Sequence, residues 1–181
     1  MSERYEIRLS GSGGQGMILA GIIMAEAAAI YGDKNAVQSQ SYGPESRGGA
    51  SKAEVIISAG PIDYPKATAI DCMLAMTQEA CTKYHHDIKD GGILIVDSDN
   101  VKTLPSGGFK VHGFPITSIA RDELGKIIVA NIVSLGAMTG LTKVVKYESV
   151  EQAVLARVPA AFVDLNKKAL QRGYELTKDL K

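Results

Sequence analysis

The sequence predicts an α/β domain of three layers, helices on both faces of a mainly parallel sheet, with a helical C-terminal third. Three observations predict it. Short apolar runs such as Ile93-Leu94-Ile95-Val96 recur without polar alternation, as expected of strands buried on both faces. Helix-forming stretches separate these runs, and strand–helix alternation builds a parallel sheet. From about Thr117 onward the chain reads as consecutive helices. At 181 residues one substantial core is affordable, so a single domain over residues 1–181 is expected.

Residues 5–10 form the first predicted strand, followed by a glycine-rich turn and a helix over about 15–31. Met17 to Met24 are apolar on every face, so this helix is expected to be covered on two sides, by the sheet and by a second layer or a partner subunit. A short strand follows at 36–41. Residues 42–49 hold three glycines and a proline and must be a loop. Residues 52–58 and 70–76 read as further strands, the second leading into Thr77, an N-cap for a helix that runs to about Ile88 and stops at Asp90-Gly91-Gly92. Residues 93–96, ending in Asp97, and 109–114, before Pro115, are the remaining strands. Helices are predicted at 117–124, 131–141, 150–157 and 161–180. Ser149 and Gln152 suggest a capping box for the third, and Phe162, Leu165, Ala169 and Leu176 give the fourth a packing stripe.

Composition restricts the function. The chain is 45% hydrophobic and 22% charged, with 20 basic and 20 acidic residues, a globular balance without the basic excess of a nucleic-acid or membrane surface. The longest apolar stretch, residues 17–30, is interrupted by Glu26 and falls short of a membrane span. The N-terminus leads into a strand without the regions of a signal peptide, so a cytoplasmic protein is expected. Cys72 and Cys81 are its two cysteines, too few for the four thiolates of an iron–sulfur cluster, and their spacing fits no common zinc pattern.

Gly11-Ser12-Gly13-Gly14-Gln15-Gly16 lies between a strand and a helix, where backbone amides and the helix dipole make an anion site. It satisfies the G-x-G-x-x-G fingerprint of dinucleotide-binding domains, so the fold is expected to be Rossmann-like. That fingerprint also calls for a carboxylate at the end of the second strand, where residues 36–41 have none; Asp33 precedes the strand and Glu45 follows it. Three readings stay open: a dinucleotide, another phosphate-bearing ligand, or glycines needed only for tight packing.

The second loop carries more information. Gln38-Ser39-Gln40-Ser41-Tyr42-Gly43-Pro44-Glu45-Ser46-Arg47-Gly48-Gly49-Ala50-Ser51 combines a guanidinium, a carboxylate, a phenol and hydroxyls on a glycine- and proline-shaped backbone. Arg47 suits bidentate binding of a phosphate or carboxylate, and Tyr42 suits stacking or hydrogen bonding; an internal Glu45–Arg47 pair that rigidifies the loop is the alternative. With this loop, the Gly11–Gly16 turn, Ile62-Asp63-Tyr64-Pro65, Met76-Thr77-Gln78-Glu79-Ala80 and Asn131-Ile132-Val133-Ser134-Leu135-Gly136-Ala137, the chain resembles, over nearly its whole length, the gamma subunits of 2-oxoacid:ferredoxin oxidoreductases, most closely the 2-oxoglutarate type.

The resemblance implies a shared reaction in which a 2-oxoacid is decarboxylated on thiamine diphosphate, electrons pass through iron–sulfur clusters to ferredoxin, and coenzyme A takes the acyl group. It implies that thiamine diphosphate, magnesium and the clusters belong to partner subunits: alpha, beta and a ferredoxin-like delta subunit. The gamma chain is expected to contribute to coenzyme A binding and assembly, with self-association of the isolated chain left open. By this analogy Gly11, Gly13, Gly14, Gln15 and Gly16, with Tyr42, Gly43, Glu45, Ser46, Arg47 and Gly48, are the candidate ligand-binding or interface residues. No catalytic residue is assigned. A ligand-free scaffold docking through the first helix and an independent nicotinamide-dependent dehydrogenase are the alternatives. His85-His86 reads as a helix-end pair favoured by the dipole rather than a metal site, and Asp97-Ser98-Asp99-Asn100 as a turn.

Overall fold

A computed structural model describes residues 4–41 and 49–180 of the chain. In these, β1 (Arg4–Ser12) leads to α1 (Met17–Ala29), and β2 (Asn35–Gln40) is followed by β3 (Ala50–Ser58) and β4 (Ile70–Ala75). Next come α2 (Gln78–Tyr84), β5 (Ile88–Asp97), β6 (Lys110–Phe114) and the single turn α3 (Ile116–Ser118), then α4 (Ala130–Thr142), α5 (Tyr147–Leu155) and α6 (Val163–Glu175).

The strands form one sheet in the order β2-β3-β1-β4-β5-β6. The β1–β4, β4–β5 and β5–β6 pairings are parallel, whereas β3 runs antiparallel to both β1 and β2. Only β3 is reversed, so the sheet is mainly parallel as expected. Only nine residues separate β2 from β3, fewer than the dozen or more that a parallel crossover needs, so the two pair antiparallel.

Alternation along the central strands separates two layers. Ile7, Leu9, Val55, Ile57, Cys72 and Leu74 join α1, α4, α5 and α6 in the larger core. Met73, Ala75, Leu94 and Val96 face the other way, against Cys81 of α2 and Val101. On that second face the layer over β1 is polar: Arg8, only 2% exposed, bonds Glu54 of β3 at 2.7 Å and Asp87 at 2.6 Å and donates to the Tyr84 carbonyl. Two carboxylates and a carbonyl satisfy the buried guanidinium. Glycine lets α4 and α6 touch, since a Cβ on Gly173 would stand 1.9 Å from the Val133 carbonyl oxygen.

Thr77 caps α2 as the sequence predicts, accepting from the Ala80 amide at 3.2 Å. Three local expectations are corrected. Asp90-Gly91-Gly92 does not end a helix; it lies inside β5, where the register with β4 shifts between its Ile70 and Cys72 pairings. Ser149 caps nothing, because α5 starts at Tyr147 and the Ser149 hydroxyl donates to the Tyr31 carbonyl at 2.8 Å. The helix expected at 117–124 is α3 followed by a π-helical turn, Ile119–Glu123. Within the chain, α1 buries Met17, Ala20, Ile23, Met24 and Ala27 and leaves Leu19 39% exposed. No helix among the described residues is long and apolar enough to cross a membrane.

Candidate functional site

The sheet's carboxyl edge opens between β1 and β4. Helix α1 leaves β1 over one face and α2 leaves β4 over the other, and where neighbouring strands part in this way open α/β sheets take their ligands. The glycine turn sits at that point. Its backbone closes with the Gln15 amide 3.3 Å from the Ser12 carbonyl, and the Gln15 side-chain Oε1 accepts from the Ser12 amide at 2.8 Å. Gln15 therefore holds the shape of the turn with its own carbonyl oxygen.

Gly14 and Gly16 have φ of 89° and 76°, values that side chains strain to adopt. Gly16 occupies the N-cap of α1, so no side-chain hydrogen bond caps that helix, and its first turn carries no acidic residue. The positive end of the dipole and the first helical amides thus meet no side-chain anion from the cap or first turn. Asn131, at the start of α4, donates to the Gly16 carbonyl at 3.5 Å and ties the turn to the helical layer.

The two ends of the second loop meet this turn. Gly11 pairs with Ser51 and Ser12 with Ala50 across the β1–β3 ladder. The Ser51 hydroxyl donates to the Gly11 carbonyl at 3.4 Å, and the Ser41 amide donates to the Lys52 carbonyl at 3.2 Å. Tyr84 and Glu79 brace the far end, the Tyr84 hydroxyl donating to the Ala50 carbonyl and Glu79 accepting from the Ala50 amide. A hollow of about 640 Å³ lies between turn and loop ends, lined by Ser12, Gly13, Gly14, Ile18, Ser41 and Ser51 among others. Gly11, Gly13, Gly14, Gln15 and Gly16 are thus gathered at one site. Tyr42, Gly43, Glu45, Ser46, Arg47 and Gly48 lie outside the described residues.

A second hollow, of about 370 Å³, lies on the other side of the turn between Gly14, Gln15, Asn100, Thr117, Ile127 and Ile128. Its wall is built on Asp97, which is fully buried. Asp97 Oδ1 accepts from the amides of Asp99, Ile116 and Thr117, and Oδ2 accepts from Asn100 Nδ2 and the Thr117 hydroxyl. The segment is a turn, as the sequence suggests, and also a scaffold. Thr117, Ile127 and Ile128 escaped sequence reasoning. The one local signal was the pair of β-branched residues Ile127-Ile128, which belong to a 3-10 turn and are 59% and 75% exposed.

Beside these hollows an apolar groove of about 380 Å³ runs along α1, lined by Leu19, Ile23, Ile128, Val158, Phe162 and Leu165 with others. Arg157 at its margin bonds Glu26 and holds that carboxyl below the usual glutamate range. Away from the site, the His85 and His86 rings lie 3.8 Å apart and His85 Nδ1 is 2.9 Å from the Cys81 carbonyl. Burial pushes the Cys72 thiol well above its ordinary range.

The family model described as pyruvate ferredoxin/flavodoxin oxidoreductase matches residues 6–176. The 2-oxoglutarate synthase subunit KorC of Methanocaldococcus jannaschii is 52% identical over 179 residues, covering 98% of this chain and 96% of that protein. The crystal structure of a keto/oxoacid ferredoxin oxidoreductase gamma subunit from Geobacter sulfurreducens PCA superposes with a TM-score of 0.90 at 62% identity, over 95% of both chains. The fold also recurs at a TM-score of 0.86 and 23% identity in the 2-oxoglutarate:ferredoxin oxidoreductase of Magnetococcus marinus, which was solved with 2-oxoglutarate, coenzyme A and succinyl-CoA bound. There it covers all of this chain and 32% of the longer one.

Proposed function

The chain belongs to the pyruvate ferredoxin/flavodoxin oxidoreductase family as a gamma subunit of a 2-oxoacid:ferredoxin oxidoreductase, and from that premise we propose that it builds the coenzyme A side of an enzyme acting on 2-oxoglutarate. The overall reaction is oxidative decarboxylation of the 2-oxoacid to acyl-CoA and CO2, with electrons delivered to ferredoxin. Thiamine diphosphate, magnesium and the iron–sulfur clusters belong to partner alpha, beta and delta-type subunits, and the complex works in the cytoplasm. The KorC relative supports 2-oxoglutarate as the substrate.

The observation that carries the coenzyme A role is the convergence of the Gly11–Gly16 turn with both ends of the second loop around one hollow, at the N-terminus of α1. Coenzyme A is a polyphosphate joined to a long, weakly polar arm. The phosphates suit the uncapped amides of α1 and the glycine turn, and the arm suits a wall of Ile18, Leu19 and Ile22. Arg47, Tyr42, Glu45 and Ser46, with Gly43 and Gly48, complete the site in this reading, Arg47 as the phosphate clamp. The coenzyme A bound in the Magnetococcus marinus enzyme supports the choice of ligand.

Replacing Arg47 by Ala in the assembled enzyme tests it. The Michaelis constant for coenzyme A is expected to rise about tenfold or more, with decarboxylation of the 2-oxoacid in its absence little changed, since a charge-assisted contact is lost. An unchanged constant removes Arg47 from the site.

The apolar groove along α1 supports an assembly role. In the Magnetococcus marinus enzyme the corresponding unit is a third of a longer chain, so it is covalently joined to further protein there. In this reading a partner subunit covers the exposed Leu19, Ile128 and Phe162.

A further inference from the structure

We propose that the second hollow, on the β5–β6 side of the glycine turn, is a purine pocket that receives the adenine of the same coenzyme A. The proposal rests on the coenzyme A reading and extends it to a subsite with its own selectivity.

Asp97 fixes the polarity of the groups around this hollow. Asn100 Nδ2 donates to Asp97 Oδ2 at 2.7 Å and to Thr117 Oγ1 at 3.1 Å, so both amide hydrogens are spent. The Thr117 hydroxyl gives its hydrogen to Asp97 Oδ2. Asp97 cannot turn to release either of them, because its other oxygen accepts from three backbone amides. What Asn100 has left is Oδ1, an acceptor and nothing else, on an exposed residue that lines the hollow.

Gln15 lines the same hollow with the reverse polarity. Its Oε1 is committed to the Ser12 amide at 2.8 Å, which leaves the Nε2 donor for the hollow it lines. Ile127, Ile128 and Ala130 add apolar lining to the same hollow. An acceptor, a donor and apolar lining together suit adenine, whose amino group donates beside a ring nitrogen that accepts and whose ring faces are apolar. A purine with a carbonyl at that position would set acceptor against acceptor at Asn100. At about 370 Å³ the hollow falls in the range of small-molecule sites.

The placement also suits one molecule spanning both hollows. Gly14 lines each of them, so the turn is a ridge between the two. Phosphates lying over the ridge put the base on the Asn100 side and the arm on the Ile18 side.

The test compares coenzyme A with its analogue carrying hypoxanthine in place of adenine, as acyl acceptors for the assembled oxidoreductase. In the wild-type enzyme the analogue is expected to show a Michaelis constant about tenfold higher, the worth of one hydrogen bond lost in a desolvated site. Asn100→Ala raises the constant for coenzyme A by a similar factor and abolishes the discrimination, with turnover at saturation retained. Equal constants for both acceptors in the wild type, or discrimination that survives in Asn100→Ala, overturns the purine pocket. The wild-type comparison needs no substitution, so a misfolded variant does not hide the answer. The broader reading is tested separately: if Arg47→Ala leaves the coenzyme A constant unmoved, Arg47 is removed from the site, whereas a rise there beside equal constants for the two acceptors removes the subsite alone.

Discussion

Gly16→Ala strikes the joint between the glycine turn and the helical layer, and its cost can be worked from two contacts. Gly16 has φ of 76°, and a left-handed conformation costs an L residue about 1–2 kcal/mol. The added Cβ would stand 2.6 Å from Asn131 Nδ2 and 3.2 Å from its Cγ, so the Asn131 side chain must swing away. That breaks its donation to the Gly16 carbonyl and strands a polar group that is 5% exposed, about 1 kcal/mol or more. The sum is roughly 2–4 kcal/mol, and for a chain of this size each kcal/mol lowers Tm by about 2–4 °C, giving a fall on the order of 5–15 °C. Gly14→Ala is the internal control: its φ is 89°, but its Cβ would meet nothing within 4 Å, so strain alone remains, about half the effect. Thermal unfolding of the two purified variants measures the difference. Because Gly16 is the N-cap of α1, the larger perturbation is also expected to raise the Michaelis constant for coenzyme A in the assembled enzyme. Equal Tm shifts for the two variants refute the Asn131 contact, and no shift in either refutes the strain.

Three further outcomes are expected. Asp97→Asn turns a five-donor acceptor into a group that presents hydrogens to donors, and chemical denaturation is expected to show a loss of about 2–4 kcal/mol. Glu26 has its carboxyl lowered from an ordinary 4.5, first by the hydrogen bond from Arg157; a depressed carboxyl stabilises fully above that ordinary value and loses the contribution as pH falls through the lowered one. Glu26→Gln is therefore expected to cost less than about 1 kcal/mol at pH 7, since the pair is partly exposed, and the gap from wild type should close in acid when melting is compared across pH. Phe162→Asp, at a side chain 47% exposed in the apolar groove, should leave the melting of the isolated subunit within about 0.5 kcal/mol of wild type. Its co-purification with partner subunits should fail.

Much of this was legible in the chain itself, because burial and local geometry are written in short-range patterns. Apolar runs marked the parallel strands, Thr77 marked the start of α2, and glycine spacing marked the turn after β1. The end of β2 visibly lacks the carboxylate of the dinucleotide fingerprint. Partner choice was a different matter. The reversal of β3, the use of Asp90-Gly91-Gly92 inside β5, and the engagement of Ser149 with Tyr31 all depend on which segments meet across the fold. The same holds for the second hollow. Asn100 and Thr117 are ordinary turn residues where they stand in sequence, and their polarity is decided only when the buried Asp97 takes their hydrogens and the fold brings Gln15 and Ile128 to the same hollow. The chain by itself determined where it would be buried and where it would bend. Tertiary structure decided which polar groups were left over, because hydrogen-bond capacity is consumed by neighbours that sequence distance conceals.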